Sequence, residues 1–242
     1  METITENRIR HGNLTSSEIF NLMSEGKAKG SIGKPFYTYV GKKNLERKLG
    51  RSIGLNKGSN STRWGNFLEM VVNSKIGTDY ELLGDKTFVH PEHSFWVGSP
   101  DTKNTHKNSV GDIKCYEPEN FAEYLDVLLK NDIELFKDEY PKEFWQLVSN
   151  ACILGVDNIE AIVYMPYKSE IESIRDMASN YQGADQWKYR FIVESPIYEL
   201  PYLPDGNKYY KDLNIIQFEV PKEYKMALTE RVLMAKVLLI NA

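Results

Sequence analysis

Two segments decide the fold of this chain: Ser99-Pro100-Asp101 and Val110-Gly111-Asp112-Ile113-Lys114. Residues two apart on a β-strand point to the same face of the sheet, so the second segment predicts that Asp112 and Lys114 share a face. Asp101 closes the apolar run that comes before, and a hairpin would bring it alongside Asp112. The sequence therefore predicts that two carboxylates and an ammonium converge at one end of a hairpin.

Such a cluster of charges destabilises the folded protein unless other groups neutralise it or form hydrogen bonds with it. Two carboxylates repel each other, and burying them requires a cation or hydrogen-bond donors. A hard divalent cation would satisfy both, and oxygen ligands favour Mg²⁺ or Mn²⁺ over Zn²⁺. Lys114 could then steer a water molecule toward a phosphodiester. The alternative is a surface strand with an ordinary salt bridge. Asp101, Asp112 and Lys114 taken by themselves favour that alternative.

Length and composition indicate one globular domain. The 242 residues can bury one good core, so residues 1–242 are interpreted as a single domain. No apolar run approaches the roughly 20 residues that cross a bilayer, and the polar N-terminus lacks a signal-peptide core. Cys115 and Cys152 have no partners at disulfide or zinc spacing. We expect an intracellular protein that does not enter the membrane.

Charge is distributed unevenly along the chain. The net charge of −4 argues against a simple nucleic-acid binder, yet residues 1–65 hold twelve Lys and Arg against five Asp and Glu. Ten of these cations lie in residues 27–63, where Glu46 is the only acidic residue. This basic segment, which ends at Arg63, is expected to face DNA phosphates. The alternative is a solvated, Lys-rich loop, and its Gly, Ser and Asn residues favour loop structure in places.

The pattern of elements predicts an α/β protein. Thr15-Ser16-Ser17-Glu18 has the form of a capping box that opens a helix, and an apolar stripe marks a second helix near Trp64–Val72. Pro141 suits the first turn of a later helix. Residues 168–242 should add helices and one strand. Strands are expected near 80–83, 87–89, 95–98, 110–115, 159–165 and 213–220. This order indicates a mixed central β-sheet flanked by helices.

Five short motifs follow one another between residues 8 and 167. They are Arg10–Ser17 (R-x-G-x-x-T-x-S), Trp64–Glu69 (W-G-x-x-x-E), Ser99–Asp101 (S-P-D), Asp112–Cys115 ([ED]-x-K-C) and Phe144–Leu147, which is similar to [YW]-x-Q with Phe144 in the first position. In this order and at these spacings they resemble the bacteriophage lambda exonuclease and viral-recombinase branch of the PD-(D/E)xK nuclease superfamily. The resemblance implies the restriction-endonuclease-like core of that superfamily.

The resemblance also implies a role for individual residues. Asp101 and Asp112 would bind the catalytic metals, two Mg²⁺ or Mn²⁺ ions. Lys114 would position or deprotonate the attacking water. The implied catalytic and metal-binding set consists of Glu69, Asp101, Asp112, the Ile113 carbonyl oxygen, Lys114 and Gln146.

A second implied set would hold the DNA end. Arg10, Thr15 and Ser17 would form a pocket for a terminal 5′-phosphate, to which Ser99 would also donate. A guanidinium offers bidentate donors to a phosphate, and a helix N-terminus offers unpaired amides. The alternative for Thr15 and Ser17 is plain helix capping, and the two roles can coexist. Arg63 is assigned to DNA binding more generally.

The function implied is a metal-dependent exonuclease of phage or prophage recombination. It would degrade one strand of linear duplex DNA from a 5′ end and leave a 3′ overhang for a single-strand annealing protein. The family precedent implies a ring of three subunits in the cytoplasm of a bacterial host. Two alternatives stay open: an endonuclease on the same fold, and a non-catalytic protein that binds DNA or a partner.

Overall fold

A computed structural model describes residues 9–28, 30–53, 58–84 and 86–240. Residues 29 and 54–57 of the basic segment, and both chain ends, therefore lie outside the described residues. The strands are β1 (Leu14–Thr15), β2 (Tyr80–Leu82), β3 (Phe88–Val89), β4 (Trp96–Gly98), β5 (Thr102–Asn104), β6 (Ser109–Lys114), β7 (Asn158–Tyr164) and β8 (Leu213–Glu219). The α-helices are α1 (Lys34–Leu49), α2 (Asn60–Lys75), α3 (Pro118–Leu128), α4 (Ile133–Glu139), α5 (Pro141–Leu154), α6 (Ile171–Asn180), α7 (Arg190–Glu194) and α8 (Lys222–Leu238). Short 3₁₀ helices span Ser16–Met23, Lys168–Glu170, Gln186–Lys188 and Ile197–Glu199.

The larger sheet has five strands in the order β2-β5-β6-β7-β8. Its central pair, β6 and β7, is parallel, whereas the other pairs are antiparallel. β7 is buried along nearly its whole length, as its apolar-rich sequence predicts for a strand covered on both faces. The predicted class, an α/β fold with a mixed central sheet flanked by helices, is confirmed.

The two faces of this sheet pack against different helices. Successive side chains of β6 point to opposite faces of the sheet. Val110 belongs to the apolar cluster that contains residues of α5. Ile113 and its β7 partner Ile162 belong to the cluster that contains α2. Asp112 and Lys114 have the same parity as Val110, so they lie on the α5 face. Helix α2 covers the opposite face.

A smaller sheet joins the N-terminal segment to the strand before Ser99. Its order is β1-β4-β3, with β1 parallel to β4 and β3 antiparallel to it. Thr15 lies opposite Val97 in this register. The 3₁₀ helix Ser16–Met23 that follows packs against α5. The first and third motifs of the sequence are thereby brought together, although more than eighty residues separate them.

One expectation about the N-terminal part was wrong. The segment after Thr15 is a 3₁₀ helix, and the Thr15 side chain makes no capping hydrogen bond. Its hydroxyl instead lies 3.3 Å from the hydroxyl of buried Tyr39. In the basic segment, α1 occupies Lys34–Leu49, and the described residues between Leu49 and Asn60 form no helix or strand, in line with loop structure in places. Within the described residues, no helix is both long and apolar enough to span a membrane.

Gly111 is required for the close approach of β5 and β6. A Cβ atom built on Gly111 would lie 2.3 Å from Thr102 Oγ1 and 2.7 Å from Ile162 Cδ1. We therefore expect Gly111→Ala to lower the free energy of unfolding by about 1–3 kcal/mol, as overpacked interiors do. Urea unfolding followed by circular dichroism measures this change.

The matched control for this prediction is Gly41→Ala in α1, where a Cβ atom meets nothing within 4 Å. Alanine there should hold or raise the stability, because glycine is the poorer helix former. An unchanged unfolding midpoint for Gly111→Ala would show that the hairpin has more room than this packing indicates.

Candidate active site

The hairpin places Asp101 immediately before the first residue of β5, next to the centre of β6. The backbone N–H of Asp101 donates to the Gly111 carbonyl at 3.2 Å. The Ile113 N–H in turn donates to Asp101 Oδ2 at 2.6 Å. A carboxylate that accepts a backbone N–H is held in one orientation. The predicted convergence of Asp101 with the Asp112–Lys114 segment is therefore present in the structure.

Asp112 is buried and has partners on two sides. Its carboxylate forms an ion pair with Lys114, and Gln146 Nε2 donates to Asp112 Oδ1 at 2.6 Å. Gln146 lies on α5, which packs on the same face of the sheet as Asp112. The structure thus brings together Asp101, Asp112, Lys114 and Gln146, four of the residues assigned from the sequence.

The charges around Lys114 favour its cationic form. Burial by itself lowers the pKa of an ammonium group, but attraction to Asp112, with smaller contributions from Asp101 and Glu143, outweighs it. The pKa of Lys114 is therefore raised above its ordinary value. A cationic lysine donates hydrogen bonds and has no lone pair to accept a proton. Of the two implied roles, positioning water or deprotonating it, this charge state favours positioning.

Glu69 approaches from the other face of the sheet. It lies on α2, one turn after Gly65, whose Cβ would be 3.3 Å from the carbonyl oxygen of Cys115 at the end of β6. Burial, followed by the negative charge of Glu69, raises the pKa of the Cys115 thiol. Glu69 thus lies near Cys115, just beyond the end of β6.

The donor atoms present fit a hard cation in part. Asp112 Oδ2 is buried and faces the Lys114 ammonium without a well-directed hydrogen bond among the described residues. Carboxylate oxygens at Asp101 and Asp112 are the donor type that Mg²⁺ and Mn²⁺ prefer. Across the described ranges, however, no three His, Cys, Asp or Glu side chains are gathered in the manner of a ready metal site. The assignment of Glu69 and of the Ile113 carbonyl as further ligands stays a prediction.

Glu143 belongs to this site, although the sequence interpretation did not single it out. It precedes Gln146 by one turn of α5 and is 9% exposed. The Tyr116 hydroxyl donates to Glu143 Oε1 at 3.1 Å, and the negative charge of Glu143 contributes to the raised pKa of Lys114. The available signal was the i, i+3 spacing from Gln146, which places both side chains on one helix face.

Asn150 continues the same face of α5, one turn beyond Gln146. It is completely buried, and neither polar atom of its side chain has a hydrogen-bond partner among the described residues. A Cβ atom at Gly98 would lie 2.4 Å from both Asn150 Oδ1 and Ser16 Oγ. Glycine at position 98 therefore allows polar groups of α5 and of the 3₁₀ helix Ser16–Met23 to meet beside β4.

The residues assigned to the DNA end form a looser group. Arg10 Nη1 donates to Ser99 Oγ at 3.3 Å, and Ser99 Oγ lies 3.0 Å from Thr87 Oγ1. Thr15 is buried against Tyr39. Ser17 lies in the first turn of the 3₁₀ helix and is partly exposed. The structure therefore brings Arg10 and Ser99 together and adds Thr87, whereas the Thr15 hydroxyl is engaged elsewhere.

Arg63 lies in the first turns of α2, against a segment from the C-terminal part of the chain. Its guanidinium carbon is 5.2 Å from the centroid of the Trp187 ring. Nothing in the sequence pointed to this pairing, because 124 positions separate the two residues.

Comparisons with known proteins identify the fold. No family model matches the sequence, and no curated protein matches it either. Among solved structures, the alkaline exonuclease LHK-Exo from Laribacter hongkongensis matches with a TM-score of 0.62 and 13% identity, over 96% of this chain and 90% of that one. The same exonuclease in complex with dAMP gives a TM-score of 0.61 and 13% identity, over 96% and 89%.

A phage-related exonuclease from Haemophilus somnus 129PT also matches, with a TM-score of 0.58 and 14% identity over 93% of this chain and 92% of that one. All three likenesses extend over nearly the full length of both chains. At this level of identity they establish the fold. The chain therefore has the fold of alkaline and phage-related exonucleases, which is compatible with the PD-(D/E)xK core expected from the motifs.

Proposed function

We propose that this protein is a metal-dependent nuclease that hydrolyses phosphodiester bonds in DNA. The observation that carries the proposal is the convergence of Asp101, Asp112, Lys114 and Gln146 at the end of the β5–β6 hairpin. A surface strand with an ordinary salt bridge would not bury Asp112 to 3% exposure and add a hydrogen bond from a separate helix. Buried charges of this kind are costly to keep without a function.

Each residue has a task in this proposal. Asp101 and Asp112 would hold Mg²⁺ or Mn²⁺, with the Ile113 carbonyl and Glu69 completing the ligand set and two ions as the expected number. The bound cation would supply positive charge that polarises the phosphate. Lys114 would donate hydrogen bonds that orient the attacking water and stabilise charge on the phosphoryl oxygens. Gln146, through its hydrogen bond, would hold Asp112 in a fixed orientation.

We further propose that the reaction is exonucleolytic and proceeds from a 5′ end. The exonuclease fold of the neighbours and the deoxynucleoside monophosphate bound to LHK-Exo support an exonucleolytic reaction, and the motif resemblance alone supports the 5′ polarity. Release of such mononucleotides from one strand would leave 3′ overhangs. The proposal extends to a role in phage-type recombination with a single-strand annealing protein, and to a homo-oligomer of three subunits in a bacterial cytoplasm.

The decisive experiment compares linear and circular duplex DNA, each with and without Mg²⁺. An exonuclease should degrade the linear form only and require the ion, because it needs a free end. Cutting of the circle would instead support an endonuclease on the same fold. DNA binding without cleavage of either form would support the non-catalytic alternative.

Arg10 tests the polarity of the reaction. If the Arg10–Ser99–Thr87 group holds a terminal 5′-phosphate, the parent protein should digest 5′-phosphorylated duplex much faster than 5′-hydroxyl duplex. Arg10→Ala should remove most of that difference, because a charge-assisted hydrogen bond of about 1.5–3 kcal/mol corresponds to roughly a ten- to hundredfold rate effect. Initial rates on the two substrates measure it.

The matched variant for this experiment is Arg10→Lys, which keeps the charge but loses the planar fork. It should retain an intermediate preference for phosphorylated ends. Both variants should digest hydroxyl ends at the parent rate, since the carboxylate cluster is untouched. Equal digestion of both ends by the parent, or degradation from 3′ ends, would contradict the 5′ polarity.

A further inference from the structure

Trp187 is unusual among the tryptophans of this chain. Its side chain is 65% exposed, whereas Trp64, Trp96 and Trp145 are buried at 2%, 0% and 7% exposure. Leaving an indole ring in water forgoes the large apolar burial that the other three obtain. The exposed indole offers a large aromatic face to another molecule.

The exposed ring is paired with a cation from the basic part of the chain. The Arg63 guanidinium lies over the Trp187 ring, 5.2 Å from its centroid. Arg63 is the last of the ten cations in residues 27–63, so the pair lies where the basic segment runs into α2. An arginine over an exposed aromatic ring is complementary to a nucleic-acid strand, which offers phosphates and stackable bases.

The segment that carries Trp187 is fixed in place by aromatic packing on α2. Phe67 of α2 contacts Tyr189 and Tyr181, with ring centroids 5.0 and 6.5 Å apart. The two tyrosines pack edge to face with each other, and the Tyr181 hydroxyl donates to Asp185 at 2.9 Å. The ring is thus held on α2, the helix that also carries Glu69, before any ligand arrives. A preformed surface of this kind binds with less loss of conformational entropy.

Space for a planar ligand lies beside the ring. Trp187 lines a surface cavity of about 350 Å³ together with Gln186, Arg190 and Val193. Ser179 and Glu194 also line it, and Glu194 pairs with Arg190 at 2.6 Å. The Trp187 ring, the Gln186 amide beside it and the Arg63 guanidinium over it suit a nucleobase more than they suit an apolar peptide.

We propose that Trp187 and Arg63 form a stacking site for an unpaired DNA base. The proposal rests on the proposed function, because a nuclease that converts duplex to single strand exposes unpaired bases near its active site. Arg63 contributes twice, through its stack on the indole and through its charge toward the phosphate. The site is expected to favour single-stranded over duplex DNA and to be tolerant of sequence, because every base offers a π face.

The test uses the full-length protein and a thymidine oligonucleotide of about twelve nucleotides, in EDTA so that the strand stays intact. Stacking on the single exposed tryptophan of the described chain should quench its long-wavelength fluorescence. Trp187→Ala should abolish the quenching and weaken binding, measured by fluorescence anisotropy of the labelled oligonucleotide, by about tenfold. Trp187→Phe should retain part of the affinity, and Arg63→Ala should weaken binding by a similar factor.

The control variant is Tyr198→Ala, which removes an aromatic ring that is 77% exposed but lies in another 3₁₀ helix. It should bind as the parent does. Parent affinity in Trp187→Ala, or binding by the parent without quenching, would overturn the stacking site. Cleavage of DNA by the parent protein with Mg²⁺ is scored separately. Trp187-dependent binding without cleavage would defeat the nuclease proposal alone, and cleavage without that dependence would defeat the stacking site alone.

Discussion

Asp112→Asn is expected to reduce DNA cleavage by about a thousandfold or more, which corresponds to about 4 kcal/mol of transition-state stabilisation. Asn keeps the shape of the side chain, and its oxygen can still accept the hydrogen bond from Gln146. What the substitution removes is the negative charge that faces Lys114 and that would hold a divalent cation. Initial rates of linear duplex digestion with saturating Mg²⁺ measure the effect.

The fold should survive this substitution at a measurable cost. Lys114 loses its partner, and losing a hydrogen bond between charged groups costs about 1.5–3 kcal/mol. The free energy of unfolding of a native domain is typically about 5–15 kcal/mol. The circular dichroism spectrum should therefore be unchanged, and the urea midpoint should be lower.

A matched control for Asp112→Asn is Asp157→Asn. Asp157 also pairs with a lysine, at 3.0 Å from Lys225, but its side chain is 69% exposed. The Asp157→Asn variant should cleave DNA at the parent rate. An active Asp112→Asn protein would remove Asp112 from the chemistry.

Lys114→Met is expected to slow cleavage by about 10²–10³-fold while DNA binding stays near the parent value. The ammonium is proposed to act on charge that develops in the transition state, and the loss of one such donor typically has this size. Met has a similar length and leaves no void. Single-turnover rates and the dissociation constant for duplex DNA, measured separately, distinguish a rate defect from a binding defect. A collapse of binding with an intact rate would show that Lys114 is misassigned.

The pairing of Lys114 also makes a prediction about pH. Its folded-state pKa is raised, so its contribution to stability is fully present below the unfolded-state pKa of about 10.4. That contribution is lost only as pH rises through the higher folded-state value. The difference in free energy of unfolding between the parent and Lys114→Met should therefore stay constant between about pH 7 and pH 9. A difference that disappears within this window would mean that Lys114 loses its proton there.

Features that depend on neighbours along the chain were predictable from the sequence. The alternation of side chains on a strand placed Asp112 and Lys114 on one face, and the hairpin expected to bring Asp101 alongside them is present. The apolar-rich stretch at Ile159–Met165 predicted a buried strand, and this stretch forms most of β7, which pairs with β6. These features follow from periodicity and chain connectivity, so no long-range information was needed.

Which separate elements meet, and from which side, depends on the packing of the whole chain. This packing puts Gln146 and Glu143 on the Asp112 face, and it puts the helix that carries Glu69 on the other face, because α5 and α2 cover opposite faces of one sheet. It directed the Thr15 hydroxyl to Tyr39 instead of a helix cap, and it brought Trp187 under Arg63. Such contacts join residues far apart in sequence, and they are set by how whole elements pack, which no local pattern encodes.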